Sequence, residues 1–318
     1  MRVVNDIDDP VFDPNLGDRI DGLGQMGPHQ RRQFFAAMPR RGRLMRECDL
    51  ITVATAPLAR AAAVLGRPSV VIPNALNPAQ LRLAAEIGNP RRCDDAVRIG
   101  YFSGSPTHQR DFAACEAALL EVMRCHPAVQ FRLVGYLDLG PRWRDFGERI
   151  ERIGLLSPGE LMRAIAETDV NLAPRDLTSP FCNAKSELKF FEAAAVGVPT
   201  IASATEPFAA AIEHGVPGFL ARDPGEWRDT LELLVASRAR RRQVGAAARA
   251  PSALTRFSPS ALAPQIVAAL HLPAPIRADA LPLASTARGR IGKRTGWTSR
   301  RVGATALPFR LWASLPYS

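Results

Sequence analysis

Two of the three lysines in the 318-residue chain lie one helical turn apart, at Lys185 and Lys189, and Glu192 follows three residues later. On a helix these three side chains share one face. Lysines near a helix start oppose the helix macrodipole, and a bound anion removes that conflict, because helix N-termini and lysines both attract phosphate. Glu192, one turn deeper, could accept hydrogen bonds from sugar hydroxyls. An exposed amphipathic helix with Lys–Glu pairs explains the same spacing, and the spacing alone favours that simpler interpretation.

A second group of polar residues, Asp6, Asp8 and Asp9, has the carboxylates that bind Mg²⁺ or Mn²⁺. We favour a turn at a strand end for this segment, with a positioning role near a cleft as the alternative. His108 could contact a phosphate or a sugar, and an exposed position at a helix start explains it equally well. The five cysteines and five histidines lack the spacing of a metal site. We therefore expect neither a metal centre nor a disulfide framework.

Three common enzyme classes lack their motifs in this chain. The segment that begins at Gly104 reads Gly-Ser-Pro-Thr, which does not match the GxxxxGK[ST] motif of a P-loop ATPase or GTPase. There is also no Gly-x-Ser-x-Gly nucleophile elbow and no set of protein-kinase signatures.

Strand and helix patterns alternate through the middle of the chain and would position the candidate groups. Short β-type runs end in turns, and segments with apolar residues every three or four positions follow them. This order is typical of β-α-β units around a parallel sheet, which binds ligands at the carboxyl ends of its strands. The predicted strands are residues 97–102, 129–134, 170–173 and 200–202, and the predicted helices are 108–125, 159–167, 185–196, 206–213 and 225–246.

The helix predicted over residues 185–196 places Leu188, Phe191 and Ala195 on an apolar face opposite the lysines. Gly197 can end this helix, and Pro199 leads into the next strand. The first 90 residues are less regular. They predict strands at 51–54 and 69–73 with a helix at 58–65 between them, while residues 10–45 show little periodicity.

The composition, with 47% hydrophobic and 23% charged residues, is that of a globular chain, and its length suggests two domains. No apolar run is long enough to span a bilayer, and the acidic first residues do not resemble a signal peptide. We therefore expect a cytoplasmic protein. Of the net charge of +10, residues 271–318 carry +7, from eight basic residues and one acid. Basic residues interleaved with aromatics are compatible with a peripheral contact with an anionic membrane or a non-specific contact with nucleic acid, although no specific nucleic-acid-binding motif is present. A disordered extension without a function explains this composition at least as well.

The segment from Lys185 to Pro199 resembles the donor-site segment of GT-B glycosyltransferases, in particular the large retaining family 4 (glycosyl transferases group 1). Those enzymes carry a Glu followed by small residues, Gly, x and Pro, as at 192–199, and in one subgroup the helix begins Lys-Ser-x-x-Lys-x-x-Glu, as at 185–192. The segments at 101–111 and 214–218 resemble the phosphate-side loop and the later glycine-rich turn of the same domain. The segments at 49–55 and 71–74 resemble the last strands of the N-terminal domain.

The resemblance implies an α/β protein of GT-B type with two Rossmann-like domains. We expect a partial, acceptor-side N-terminal domain at 1–95, a nucleotide-sugar-binding domain at 96–270 and a basic tail at 271–318. The implied function is transfer of a sugar from a nucleotide-diphosphate sugar to a glycan or lipid-linked acceptor, with retention, no cofactor and no metal. No catalytic residue is assigned. The implied donor-binding residues are Gly104, Arg110, Lys185, Ser186, Lys189 and Glu192.

Two departures from the family pattern are visible in the sequence. Many members have a second Glu, eight residues before the position of Glu192, that holds the donor sugar, and this chain has Ala184 there. The sugar contact must therefore differ, and backbone groups or Glu187 are candidates. The N-terminal domain is also expected to be incomplete. The incomplete domain leaves open a non-catalytic protein that binds a nucleotide sugar or a partner transferase. A nucleotide-sugar epimerase, which shares the architecture, is a further alternative, for which catalytic carboxylates are not located.

Overall fold

The computed structural model describes residues 2–20, 23, 26–88, 95–105 and 108–271. Its strands form two sheets, and every strand pair is parallel. The strands, in chain order, are β1 (Val4–Ile7), β2 (Leu50–Val53), β3 (Ser69–Val71), β4 (Val97–Ser103), β5 (Val129–Gly135), β6 (Ile150–Ile153), β7 (Val170–Ala173), β8 (Thr200–Ser203) and β9 (Gly218–Ala221).

The larger sheet has the strand order β6-β5-β4-β7-β8-β9. From β4 the chain winds outward to β5 and β6 and then returns to β7 on the other side of β4. In open parallel sheets of this kind, the reversal opens a crevice outside the carboxyl ends of the two central strands. By this rule the strand order places the crevice after β4 and β7, at Gly104 and at the loop that carries Arg175. The smaller sheet has the order β1-β2-β3.

The helices lie between the strands, as β-α-β connections require. Those up to the crevice loops are α1 (Pro28–Arg46), α2 (Ala56–Ala62), α3 (Pro78–Ile87), α4 (Gln109–Cys125), α5 (Pro158–Ala166) and α6 (Pro180–Asn183). The remaining helices are α7 (Leu188–Ala195), α8 (Glu206–Ala211), α9 (Pro224–Ala236), α10 (Arg238–Arg249), α11 (Pro251–Leu254) and α12 (Pro259–Leu270). Among the described residues, none of the helices is both apolar enough and long enough to cross a membrane.

Aromatic side chains fill the core on one face of the larger sheet. Phe112 of α4 stacks on Phe131 of β5 with ring centroids 5.7 Å apart, and Phe131 stacks on Trp143 at 5.1 Å. Tyr101 of β4 lies 5.0 Å from Phe112. All four rings are buried, so the start of α4 is held firmly against the strands whose ends border the crevice.

The alternating strands and helices predicted from the sequence are confirmed, with differences at particular residues. The predicted helix over 225–246 is two helices, because Ser237 adopts an extended conformation and caps α10 by accepting a hydrogen bond from the Arg240 amide. Residues 28–46, for which no element was predicted, form α1. Arginine supplies much of that helix, so it lacks the apolar period that sequence reading depends on. Strands β6 and β9 were likewise not predicted.

The helix predicted over 185–196 begins three residues later, at Leu188. The carbonyl of Ala184, which an earlier start would direct along the helix, accepts a 2.6 Å hydrogen bond from the Thr55 hydroxyl. Lys185 and Ser186 therefore precede α7. The helix ends as expected, since Gly197 adopts a left-handed conformation with φ 75° directly after the C-cap.

Candidate functional site

Asp111, in the first turn of α4, is the centre of a buried polar cluster at the crevice. One of its oxygens accepts hydrogen bonds from His108 Nδ1 and Arg175 Nη1, both at 2.9 Å. The other accepts from the amide of Asp176 at 2.9 Å and from the thiol of Cys182 at 3.2 Å. A single carboxylate thus ties together the loop after β4, the loop after β7 and helix α6.

The charges of this cluster follow from burial and from its hydrogen bonds. Burial alone would raise the pKa of Asp111, but the hydrogen bond with His108 and the charge of Arg175 outweigh it, so the pKa lies below its usual range. Burial, reinforced by the charges of Lys189, Lys185 and Arg175, lowers the pKa of His108 to about 3 despite the hydrogen bond to Asp111. The carboxylate is therefore ionised and the imidazole neutral near pH 7.

Cys182 and Ser203 complete the support of the cluster. Burial, reinforced by the charge of Asp111, raises the pKa of the Cys182 thiol to about 12, so this side chain stays protonated and donates to Asp111. The Ser203 hydroxyl, at the end of β8, accepts from the Arg175 amide at 2.8 Å and donates to the Arg175 carbonyl at 2.9 Å. The loop after β7 is therefore fixed on both sides, which favours a preorganised site.

Lys189, in the first turn of α7, reaches back under the end of β4. Its Nζ donates to the carbonyl of Phe102 and lies 5.3 Å from the ring centroid of Tyr101. Burial, with the charge of Arg175, lowers the pKa of Lys189 to about 7, although Glu192 and Asp111 act in the opposite direction. An anion bound at the crevice would stabilise the charged form of this lysine.

Glu192 lies one turn further along α7 and is half-buried. Burial raises its pKa to about 7, while the charge of Lys189 and a hydrogen bond with the Gln80 side chain lower it. Lys189 and Glu192 therefore lie on one side of α7, as their spacing predicted. The predicted apolar face is only partly correct, because Phe191 and Ala195 are buried while Leu188 is 39% exposed.

Lys185 and Ser186 lie where the smaller sheet meets the larger one. The Lys185 ammonium lies 4.9 Å from the ring centroid of Phe181, and its charge acts on both His108 and Asp111. Ser186 Oγ accepts a 2.9 Å hydrogen bond from Asn74 Nδ2, which also donates to Asp8 Oδ1 at 3.0 Å. Asn74 thereby connects the end of β1 to the segment before α7.

Gly104 and Arg110 flank the Asp111 cluster on the β4 side. Gly104 directly follows β4 and is exposed, and a Cβ added there would meet nothing within 4 Å. The fold itself therefore does not require glycine at this position. Arg110 is exposed at the second position of α4.

Two weaker expectations can be compared with the structure. Glu187, a candidate sugar contact, is buried and pairs with Arg256 at 3.4 Å. Asp6 lies within β1, where it accepts from the Thr52 hydroxyl at 2.6 Å, and Asp8 follows the strand. No cluster of three or more metal-ligating side chains occurs within the described part of the chain.

Sequence reasoning missed Asp111 and Arg175, the two best-connected charges of the cluster. Asp111 has one local signal, since it follows His108 by three residues at a predicted helix start, where such a pair can meet. Arg175 has no local sequence signal, because its partner Asp111 is 64 residues away and only the sheet topology brings the two residues together.

The sequence matches one protein-family model, described as glycosyl transferase-like, over residues 110–268, which is half of the chain. The chain belongs to this glycosyl transferase-like family. The match includes Asp111, Arg175 and all of α7, so the family assignment includes most of the residues around the crevice. No curated protein sequence matches the chain significantly.

Solved structures of glycosyltransferases are similar to this family member in fold. HepE from Anabaena, in complex with UDP and glucose, is 19% identical with a TM-score of 0.56, over 85% of this chain and 71% of HepE. A variant of TarM from S. aureus, in complex with fondaparinux, alpha-GlcNAc-glycerol and UDP, is 14% identical with a TM-score of 0.60. The match covers 84% of this chain and 50% of TarM. Sucrose-phosphate synthase from Thermosynechococcus elongatus is 17% identical with a TM-score of 0.56. The match covers 84% of this chain and 67% of the synthase.

These similarities confirm the α/β fold of GT-B type that the sequence predicted. Together with the family match they identify this glycosyl transferase-like protein as a transferase. The donor-binding roles of Gly104, Arg110, Lys185, Ser186, Lys189 and Glu192 remain predictions.

Proposed function

We propose that this transferase moves a sugar from a nucleotide-diphosphate sugar, with UDP as the nucleotide, to a glycan or lipid-linked acceptor. The observation that carries the proposal is the convergence of Lys185, Lys189 and Arg175 at the crevice between β4 and β7. HepE and TarM are GT-B structures with UDP bound, and this supports the choice of nucleotide.

The donor would lie across the carboxyl ends of β4 and β7. Its diphosphate would approach the backbone at Gly104, where the open space above the glycine admits a ligand. Lys185, Lys189 and Arg110 would neutralise the phosphates, and the Ser186 hydroxyl could donate to them. Glu192 would accept hydrogen bonds from the ribose hydroxyls, since it lies one helical turn beyond Lys189 on the same side of α7.

Catalysis would come from stabilisation of the negative charge that develops as the diphosphate leaves. Cations that are already fixed in place stabilise such charge without further reorganisation, which is the principal source of rate enhancement in sites of this type. Asp111 holds Arg175, and Asn171 donates a 3.0 Å hydrogen bond to the carbonyl of Lys189. Retention at the anomeric carbon, independence of metal ions and cofactors, and a cytoplasmic location are part of the same proposal.

The proposal is tested by calorimetry and by a transfer assay. The purified protein should bind UDP and at least one UDP-sugar, and it should release UDP from that sugar when a glycan or lipid-linked acceptor is supplied. Activity should persist in EDTA. Absence of binding to UDP and to a panel of UDP-sugars would contradict the proposed donor class, whereas binding without turnover under all acceptor conditions would favour a non-catalytic sugar-nucleotide binder.

A further inference from the structure

The hydrogen bonds of Asp111 fix the tautomer of His108. The carboxylate is ionised, and both of its oxygens already accept from other donors, namely Arg175 Nη1, the Asp176 amide and the Cys182 thiol. An ionised carboxylate can only accept hydrogen bonds. At 2.9 Å from Asp111, His108 Nδ1 must therefore carry the proton and donate it. Arg175 Nη1 also lies 3.4 Å from Nδ1, but a protonated Nδ1 has no lone pair for it, so this approach is only a close contact.

The remaining ring nitrogen, Nε2, is then an acceptor. Burial and the charges of Lys189, Lys185 and Arg175 keep the imidazole neutral, with a pKa of about 3. In a neutral imidazole with the proton on Nδ1, Nε2 carries a lone pair. The His108 side chain is only 11% exposed, and within the described part of the chain Nε2 makes no hydrogen bond. The lone pair at this position is therefore open to a donor from a ligand or from water.

The chemistry of Nε2 limits what it can bind. An ionised phosphate has no proton to donate, so a lone pair at Nε2 does not bind it. Hydroxyl groups can donate. Those of the ribose are assigned to Glu192 in the proposed function, and those of the transferred sugar follow directly after the diphosphate in a nucleotide-diphosphate sugar. The position of the family's sugar-binding Glu is Ala184 here, which has no polar side chain, and Glu187, a candidate for that contact, is buried and pairs with Arg256. His108 is joined through Asp111 to Cys182, two residues before Ala184.

We propose that Nε2 of His108 accepts a hydrogen bond from a hydroxyl of the donor sugar, so that this residue recognises the sugar and not the nucleotide. Asp111 acts as its positioning residue by holding the Nδ1 proton. The inference rests on the proposed function, since it requires a nucleotide-diphosphate sugar at the crevice.

Binding of two probes, UDP and UDP-glucose, separates sugar recognition from nucleotide recognition. UDP-N-acetylglucosamine replaces UDP-glucose if the wild-type protein binds it more tightly. Loss of one neutral hydrogen bond predicts that His108→Phe weakens binding of the UDP-sugar about three- to ten-fold and that of UDP less than about two-fold. His29→Phe, the same substitution at an exposed position on α1, should change neither dissociation constant. Equal weakening of both ligands, or of neither, would overturn the inference.

Nitrogen NMR of the wild-type protein with ¹⁵N-labelled histidine provides a readout that does not depend on how a variant folds. The His108 signals should report a neutral ring with the proton on Nδ1 near pH 7, and the Nε2 signal should shift with the UDP-sugar but not with UDP. A protonated ring, or a proton on Nε2, would reject the inference even if both ligands bind. If the wild-type protein binds neither ligand, the proposed function fails first and the inference falls with it.

Discussion

The surroundings of Lys189 shift its pKa in two opposite directions. Burial and Arg175 lower its pKa to about 7, and Glu192 and Asp111 raise it. Near neutral pH a substantial fraction of this lysine is therefore uncharged before a ligand binds. A UDP-sugar favours the charged form, so binding should be tightest below the pKa of the free protein and should weaken as the pH rises through and above it. The dissociation constant of a UDP-sugar, measured from about pH 6 to pH 9, checks this expectation, because its doubly esterified diphosphate does not itself titrate in that range.

Lys189→Arg is the matched variant for this pH profile. Arginine stays protonated throughout the range, so the variant should show a flatter dependence on pH, whatever its absolute affinity. The same steep profile in the variant and in the wild type would show that a group other than Lys189 titrates. Glu192, with a pKa of about 7, titrates in the same range, but ionisation of a carboxylate that accepts from ribose should strengthen binding as the pH rises, so its effect on the profile has the opposite sign.

Glu192 permits a direct test of nucleotide binding. If its carboxylate accepts from the ribose hydroxyls, Glu192→Ala should remove charge-assisted hydrogen bonds worth about 1.5–3 kcal/mol, which weakens UDP binding about ten- to hundred-fold. Glu213→Ala, the same substitution at an exposed position, serves as the control in the same titration. Unchanged affinity in a folded Glu192→Ala protein, as judged by circular dichroism, would contradict the assignment of Glu192.

The residues of the crevice differ in how far the sequence could predict them. Lys189 and Glu192 are close in sequence, so helical spacing alone brings them together. The link between Arg175 and Asp111 depends on the positions of β4 and β7 in the sheet, which local periodicity does not specify. Sequence reasoning therefore identified the residues of one helix but not the buried carboxylate that joins the two crevice loops.

Two glycines at the strand ends beside the crevice have different structural roles. Gly135, at the end of β5, has φ 84°, and a Cβ there would overlap the carbonyl oxygen of Ser103. Gly104, after β4, has open space around it and no positive φ. Gly135→Ala should therefore destabilise the protein by at least about 2 kcal/mol, since it combines a disfavoured conformation with a clash. Gly104→Ala should leave the thermal midpoint nearly unchanged and weaken UDP binding, because the added methyl group occupies the approach to the backbone.

Thermal unfolding and UDP titration of both variants decide between these roles. A stable Gly135→Ala protein would mean that β5 can shift relative to β4 at small cost. A Gly104→Ala protein that binds UDP with the affinity of the wild type would exclude a close approach of the diphosphate to this loop.

At the level of elements, sequence reasoning was most accurate where apolar periodicity and turn residues agree. The strands β4, β5 and β7 were predicted nearly to the residue, because β-type runs there end at glycine or proline. The start of α7 was not predicted correctly, because the Thr55 hydroxyl donates a hydrogen bond to the carbonyl of Ala184. Single hydrogen bonds between distant residues decide such boundaries, and no local pattern records them.

For the molecule as a whole, several contacts join the smaller sheet to the larger one. Thr55 bonds to Ala184, Asn74 bonds to Ser186, and Arg60 of α2 pairs with Glu206 of α8. The amide of Leu76 also donates to the Phe257 carbonyl at 2.9 Å. The segment that carries Lys185 and Ser186 is therefore held from the side of the smaller sheet.

Charge is the other property of the whole chain, and it is concentrated near one end. Residues 271–318 carry +7 of the net +10 and include Trp297, Phe309, Trp312 and Tyr317, but all except His271 lie outside the described residues. Each basic residue close to an anionic bilayer contributes about 1 kcal/mol to binding at low salt. We expect the full chain to sediment with vesicles that contain anionic lipid and not with neutral vesicles. A protein ending at residue 271 should lose most of this binding.

The same experiment separates residues 272–318 from the part of the chain that the structure describes, which has a basic surface of its own. Helix α1 carries exposed Arg31, Arg32, Arg40 and Arg43 and no acidic side chain. Equal sedimentation of the full and shortened chains would therefore reject the tail and direct attention to α1. Binding by the full chain alone, reversed at high salt because mobile ions screen surface charges, would support the tail as the membrane contact. Circular dichroism and UDP titration of the shortened protein exclude misfolding as the cause of a loss, since the crevice residues all precede residue 271.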